Sequence, residues 1–225
     1  MITNSGTLIT AITNWLARAP DAEDSVVQQI PTFIQLAESR FYKRLRVPEN
    51  MFRSQAYINE PRERLPGGFH DMVSLAYMDP PGEGASKGAT HALRYVSPEQ
   101  FYCFDNQNGD PYYYTIVGPE LSFGPFVEWD ASTPEDELGY IELVYFASLP
   151  ALDTTDSDDT NDILLYYPDI YLFGALVESQ AYIAASPELL NRWTAMYGEA
   201  LNDANEATLE ATHGTSMQFR PVAIV

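Results

Sequence analysis

The sequence predicts an α+β fold: a helical bundle formed by N- and C-terminal helices, an inserted β-rich (sandwich-like) domain, and an extended C-terminal arm. Three observations predict it. Apolar residues recur at helical spacing before residue 50 and after residue 163. Between residues 51 and 149 the pattern changes to short alternating runs broken by Pro and Gly, which is sheet behaviour. The last dozen residues are apolar but carry no helical period. The expected divisions are 1–50 for the N-terminal helices, 51–150 for the inserted β-rich domain, 151–162 for an acidic linker, 163–213 for the C-terminal helices and 214–225 for the arm.

In chain order, Ser5 is a candidate cap for a first helix to about Arg18, with Leu8, Ile12, Trp15 and Leu16 on one face. Ala19-Pro20-Asp21 breaks it. Asp24 or Ser25 opens a helical turn, and Pro31 suits the first position of a longer helix ending near Leu45. Its core face is Phe33, Ile34, Ala37, Phe41 and Leu45. Val47-Pro48 stops it, because a residue before proline is pushed out of the α region.

Strands are expected at 52–58, 72–78, 92–96, 112–117, 120–124 and 140–146, with Val117-Gly118-Pro119-Glu120 as a hairpin turn. Ser97-Pro98-Glu99 opens a short helix through Phe104. Residues 80–89 read as a loop. After the acidic linker at 152–161, an irregular turn over 161–167 precedes a helix that begins at Pro168. This helix, apolar on nearly every face between Ile170 and Val177, is expected at the centre of the bundle. The run stops at Glu178, short of the ~20 residues that cross a bilayer, so no membrane partner is expected. Ser186-Pro187 caps a last helix with the stripe Leu189, Trp193, Met196, Ala200, Ala204 and Ala207, and Gly214 stops it.

Composition narrows the function classes. The formal charge is -20, from 32 acidic and 12 basic residues. That balance opposes wrapping of nucleic acid, which needs Lys and Arg for the phosphates. Seven of the twelve basic residues fall between Arg40 and Arg64, and ten carboxylates crowd residues 130–162. A basic pole and an acidic pole suit an asymmetric partner. The cluster Arg40, Lys43, Arg44, Arg46 and Arg53 is read both as a solvated helix face and as an interface for phosphates or acidic protein surface. The single cysteine, Cys103, permits no intrachain disulfide and suits a reducing compartment. The N-terminus does not read as a signal peptide.

No catalytic, cofactor or metal site is expected. His70, His91 and His213 stand apart with no HExxH or CxxC pattern. Cys103 reads as a small buried residue. Asp153, Asp156, Asp158 and Asp159 lack the EF-hand glycine and final glutamate, so a solvated linker is favoured over a cation site. Leu65-Pro66-Gly67-Gly68 lacks the Lys-Ser/Thr of a phosphate loop and reads as a turn. Tyr112, Tyr113 and Tyr114 are residue types that stack sugars or bases, but strand alternation turns at least one ring to the core. The arm, with Met217, Phe219, Arg220, Pro221, Val222, Ile224 and Val225, cannot bury itself efficiently and is expected to dock on another chain.

Several segments carry a family resemblance: IPTFIQLAESRFYKRLRV (30–47), LPGGFHDMVSLAYM (65–78), LRYVSPEQF (93–101), YTIVGPELSFGP (114–125), IELVYFASLPAL (141–152) and LLYYPDIYLFGALVESQAYI (164–183). In this order they resemble the head-to-tail adaptor family of short-tailed bacteriophages, over nearly the full chain. The resemblance implies a structural virion protein, not an enzyme, assembled in the host bacterial cytoplasm. It implies a homo-oligomeric ring, usually dodecameric, that links the portal protein to the tail nozzle or tail fibre proteins and continues the DNA channel. Genomic DNA would pass without specific binding, and the C-terminal arm would reach the portal. The alternatives are a tail-tube or nozzle component that never touches the portal, and a carbohydrate-binding or hydrolytic β domain using Tyr112, Tyr113 and Tyr114.

Overall fold

A computed structural model describes residues 1–17, 25–58, 60–79, 89–103, 109–125, 139–184 and 186–213, the side chains of 209–213 excepted. In chain order the elements are α1 (Ser5–Trp15), α2 (Ser25–Phe41), a 3-10 turn (Pro48–Asn50), β1 (Met51–Tyr57), β2 (Arg62–Arg64), β3 (Phe69–Met78), β4 (Thr90–Ala92) and β5 (Arg94–Tyr95). They continue as α3 (Pro98–Phe101), β6 (Tyr113–Val117), β7 (Glu120–Gly124), β8 (Tyr140–Ala147), α4 (Asp162–Tyr166), α5 (Pro168–Ile183) and α6 (Pro187–His213). The fold is α+β, with helices and a β-rich part. The chain divides into two compact units, one of Met1–Asn50 with Ser148–Val225 and one of Met51–Ala147.

In the helical unit, α5 is the buried element. Ile170, Tyr171, Leu172, Ala175 and Leu176 are all buried, and the helix touches α1, α2, α4 and α6. Burying a leucine or isoleucine side chain contributes roughly 1.5–3 kcal/mol, so this apolar run holds the bundle together. Pro168 stands at its first turn, where a missing amide costs nothing. At its other end Ala184 takes a left-handed conformation (φ 48°) and its amide returns to the Gln180 carbonyl.

Several expectations are corrected here. The cap of α1 is Asn4, not Ser5: Asn4 Oδ1 accepts the Thr7 amide at 2.9 Å, and the Thr7 hydroxyl accepts the Asn4 amide at 3.1 Å. The helix ends at Trp15 rather than Arg18. Pro31 lies inside α2, because the preceding turn already buries Val26 and Ile30 and so continues the same helix. α2 ends at Phe41, and Leu45 is buried beyond it in a turn. The irregular turn expected over 161–167 is the helix α4, with Asn161 Oδ1 accepting the Leu164 amide at 2.9 Å. Along α6 the stripe is shifted. Trp193, Ala200, Leu201 and Ala204 are buried, while Leu189 and Ala207 are exposed.

The acidic linker exposes most of its side chains, as a solvated linker does, but its backbone has a further role. Its carbonyls close the leading end of α1: the Ser5 amide donates to Asp159 O at 2.8 Å and the Gly6 amide to Ser157 O at 3.0 Å. The Ser5 hydroxyl donates to Asp156 O, and the Thr160 hydroxyl to Thr3 O at 2.9 Å. A helix start leaves its first amides without partners, and this loop supplies acceptors for them. The approach is so close that a Cβ at Gly6 would stand 3.0 Å from both Cβ and O of Ser157.

In the β unit, one sheet has the order β1-β8-β3-β4, antiparallel throughout. The second has the order β2-β7-β6-β5, with β5 parallel to β6. Strand β8 alternates, burying Ile141, Leu143, Tyr145 and Ala147. Those side chains share one core with Ile58, Leu75, Tyr77, Leu93, Leu121 and Phe123. Gly118 (φ 62°) makes the turn between β6 and β7. The single strand expected at 92–96 is two short strands in different sheets, because the buried Leu93 marks the crossover and its amide bonds back to Leu75 O. The charged trio of β2 gave no strand signal, and β3 begins at Phe69 with two register shifts that hide its alternation.

Candidate functional site

The chemistry of the helical unit gathers on α2. Glu38 belongs to its core-facing side, one turn from Ile34 and beside Ala37, and is only 5% exposed. Its Oε1 accepts the Tyr171 hydroxyl at 2.8 Å and the Leu152 amide at 3.1 Å. Tyr171 in turn accepts from Asn161 Nδ2 at 2.7 Å. One carboxylate thus ties α2 to the acidic loop and to α5. Burial pushes the Glu38 carboxyl above the usual carboxylate range, the two hydrogen bonds pull it back, and Asp159 pushes it up again. Burial also raises the phenols of Tyr171 and Tyr42.

Beside Glu38 lies a cavity of about 250 Å³, lined by Pro31, Thr32, Gln35 and Glu38 of α2 and by residues 151–154 of the loop. Asp153, on its rim, is held below the usual carboxylate range by hydrogen bonds from the Thr155 hydroxyl and amide. The loop's other aspartates cap its own turns: Asp156 accepts the Asp158 amide and Asp159 the Asp153 amide. Among the described residues no group of His, Cys, Asp and Glu is arranged to hold a metal ion.

The basic residues occupy another part of α2. Arg40 Nε pairs with Glu178 on α5 at 3.0 Å, yet its side chain is 63% exposed. Lys43 and Arg44 follow in the exposed turn after the helix. Arg46 is held through Asn205 of α6, which accepts its amide at 2.7 Å and donates to Arg44 O at 3.2 Å. Nearby Tyr197 has its phenol pushed up to about 12 by burial, against the opposing pull of Arg44 and Arg40. Arg53 belongs to the β unit, on β1, where it faces Glu142 at 3.6 Å.

A family model described as SU10 adaptor protein matches residues 3–223. The chain belongs to the SU10 adaptor protein family. As an SU10 adaptor it is a structural phage protein, of a family that is not an enzyme class. No curated protein matches it. Among the described residues no helix of this adaptor is long and apolar enough to cross a membrane.

The remaining candidates separate. All of the adaptor's predicted arm, Met217 to Val225, lies outside the described residues. Cys103 is exposed, not buried, because it falls in the turn after α3. His91 Nε2 sits 3.3 Å from Asp79 on a strand edge, His70 is on β3, and the His213 side chain is outside the description. Tyr112 is exposed, while Tyr113 and Tyr114 pack edge-on against Phe101 and Tyr95. Pro66 to Phe69 form a turn, with Gly68 at φ 72°. Sequence reasoning missed Glu38 altogether. Its position one turn from Ile34, inside an apolar stripe, was the available signal.

Proposed function

We propose that this adaptor is the head-to-tail connector of its phage: a ring, dodecameric as the resemblance implies, that joins the portal to the tail nozzle and continues the DNA channel. The family match over residues 3–223 carries this reading. The helical unit packs α1 and α2 with α4, α5 and α6 around one core. Ring closure sets different faces of each subunit against each other, and this block carries cations on one part of its surface and carboxylates on another. The apolar arm, with Met217, Phe219, Arg220, Pro221, Val222, Ile224 and Val225, docks on the portal, and repetition around the ring multiplies a weak single contact. The charge of -20 keeps passing DNA from sticking.

The test is a chain truncated after Gly214. The truncated protein folds with the helical content of the parent but is not retained on portal-bearing heads. Retention equal to the full chain removes the arm from this account. Cross-linking of the full chain to nozzle proteins alone, with none to the portal, favours the tail-tube reading instead.

A further inference from the structure

Strand β1 ends its sheet, with β8 on one side only. Just past it, the Ile58 amide donates to the Gly139 carbonyl across the same pair. Backbone groups along a strand alternate in direction, and the register with β8 runs without a shift. The amides of Phe52, Ser54 and Ala56 therefore turn toward β8. Those of Met51, Arg53, Gln55 and Tyr57 turn away from it, and no described backbone group receives them. Such edges pair with other chains unless the strand is short, bulged, broken by proline or guarded by an inward charge. The other edge strands are short: β2 and β4 have 3 residues each and β5 has 2. β1 has 7, with no proline or bulge, and its one charge, Arg53, lies beside Glu142 on the outer face.

The strand also carries a knob and a recess. Phe52 shares the inner face with Tyr145, ring centroids 6.1 Å apart, yet it is 36% exposed. Further along that face, Ser54 and Ala56 line a small, mostly apolar recess of about 40 Å³ with β2, Leu121, Ile141 and Leu143. On the outer face Met51 and Tyr57 are 40% and 48% exposed, at the two ends of the strand. An antiparallel copy of β1, turned about a two-fold axis at Ser54, matches these features to one another. Phe52 then stands opposite Ala56 of the copy, over its recess. Met51 stands opposite Tyr57, which already packs on Tyr140. Arg53 faces the neutral Gln55, whereas an axis at Arg53 would set like charges opposite each other. Met51, Arg53, Gln55 and Tyr57 pair only among themselves, so every outward amide finds a carbonyl.

We propose that the free adaptor chain is a two-fold dimer joined along β1, which turns two four-stranded sheets into one continuous sheet. The occupant of the edge is a second copy because knob and recess, and both apolar ends, lie on one strand and meet only when that strand is reversed against itself. The same surface is used twice, so the pair closes at two copies. It is independent of the head-to-tail contacts of the ring, and it keeps the edge covered until the chain is incorporated.

Sedimentation equilibrium of the full-length chain tests it. The wild type has the mass of two chains, and Phe52→Ala weakens the dimer about tenfold or more, as loss of an aromatic anchor does. Gln55→Pro removes an amide that only the second copy uses, giving a monomer with the circular dichroism of the parent. In a Cys103→Ser background, Ser54→Cys gives a disulfide-linked dimer on oxidation. Its Cα lies about 4.5 Å from its counterpart in a non-hydrogen-bonded pair, within disulfide reach. Arg53→Cys and Gln55→Cys, each alone, face no second thiol and link far less. A wild type that is monomeric at every concentration overturns the dimer, as does a folded Gln55→Pro that still pairs. If Gln55→Pro does not fold, Ser54→Cys decides, and linking no faster than the two controls overturns the contact. A larger oligomer without the Ser54→Cys link overturns it too and leaves the ring reading intact.

Discussion

Tyr171→Phe removes a single oxygen at the point where α2, the acidic loop and α5 meet. That oxygen donates to Glu38 at 2.8 Å and accepts from Asn161 at 2.7 Å. A hydrogen bond to a charged group contributes about 1.5–3 kcal/mol and a neutral one about 0.5–1.5 kcal/mol. Water entering from the neighbouring cavity recovers part of the loss, so the expected cost at neutral pH is about 2–3 kcal/mol. The assay is urea unfolding of the full chain followed by far-ultraviolet circular dichroism, which reports chiefly on the helical unit. Its transition is fitted separately, because two compact units need not unfold as one. The cost should shrink as pH falls through the raised Glu38 pKa, since a neutral carboxyl no longer accepts a charge-assisted bond. A loss below about 0.5 kcal/mol at neutral pH, the range of an ordinary surface change, would refute the claim that this network closes the helical unit.

Glu38→Gln keeps an acceptor at Oε1 and removes the titration. Because burial raises the folded-state pKa above its ordinary value of 4.5, the stability contributed by Glu38 is fully present below that value and is lost as pH rises through the folded pKa. Wild-type stability minus Glu38→Gln stability therefore falls with rising pH, and a flat difference in thermal melts refutes the burial argument. Gly139→Ala sets a methyl 2.6 Å from Cζ of the fully buried Tyr77; calorimetry should find the β unit destabilised by about 1–3 kcal/mol, and an unchanged melting temperature refutes it. Asn4→Ala removes the cap of α1, with an expected loss of about 0.5–2 kcal/mol in urea titrations. No change there means the loop carbonyls alone suffice to start the helix.

What the sequence made legible was local. Proline at 168, the Ser97-Pro98 pair and the Val117–Glu120 turn act through their own backbone preferences, and each stands where those preferences place it. The alternation of β8 is equally plain, since one face of that strand meets the core. What failed was non-local. A three-residue strand of charged residues exists only because β7 lies beside it. The parallel pairing of β5 with β6 depends on where the chain crosses between sheets. The aspartate-rich loop looks solvated because its side chains are polar, yet its carbonyls are what α1 uses. Glu38 shows the same limit, because a charged residue is buried only when distant partners from residues 152 and 171 meet it.

The closing of α1 by the acidic loop carries a consequence for synthesis. The Ser5 hydroxyl and its acceptor at Asp156 are separated by 151 residues. At about 5–20 residues per second the ribosome takes roughly 8–30 s to deliver that acceptor after Ser5 is made. Contacts of such long sequence separation form late in folding, so the leading helix waits, uncapped by its loop, through translation of the whole β unit. A nascent chain interrupted anywhere before residue 156 leaves the start of that helix to its local Asn4 cap alone, and quality control in the infected cell has this interval in which to act on it.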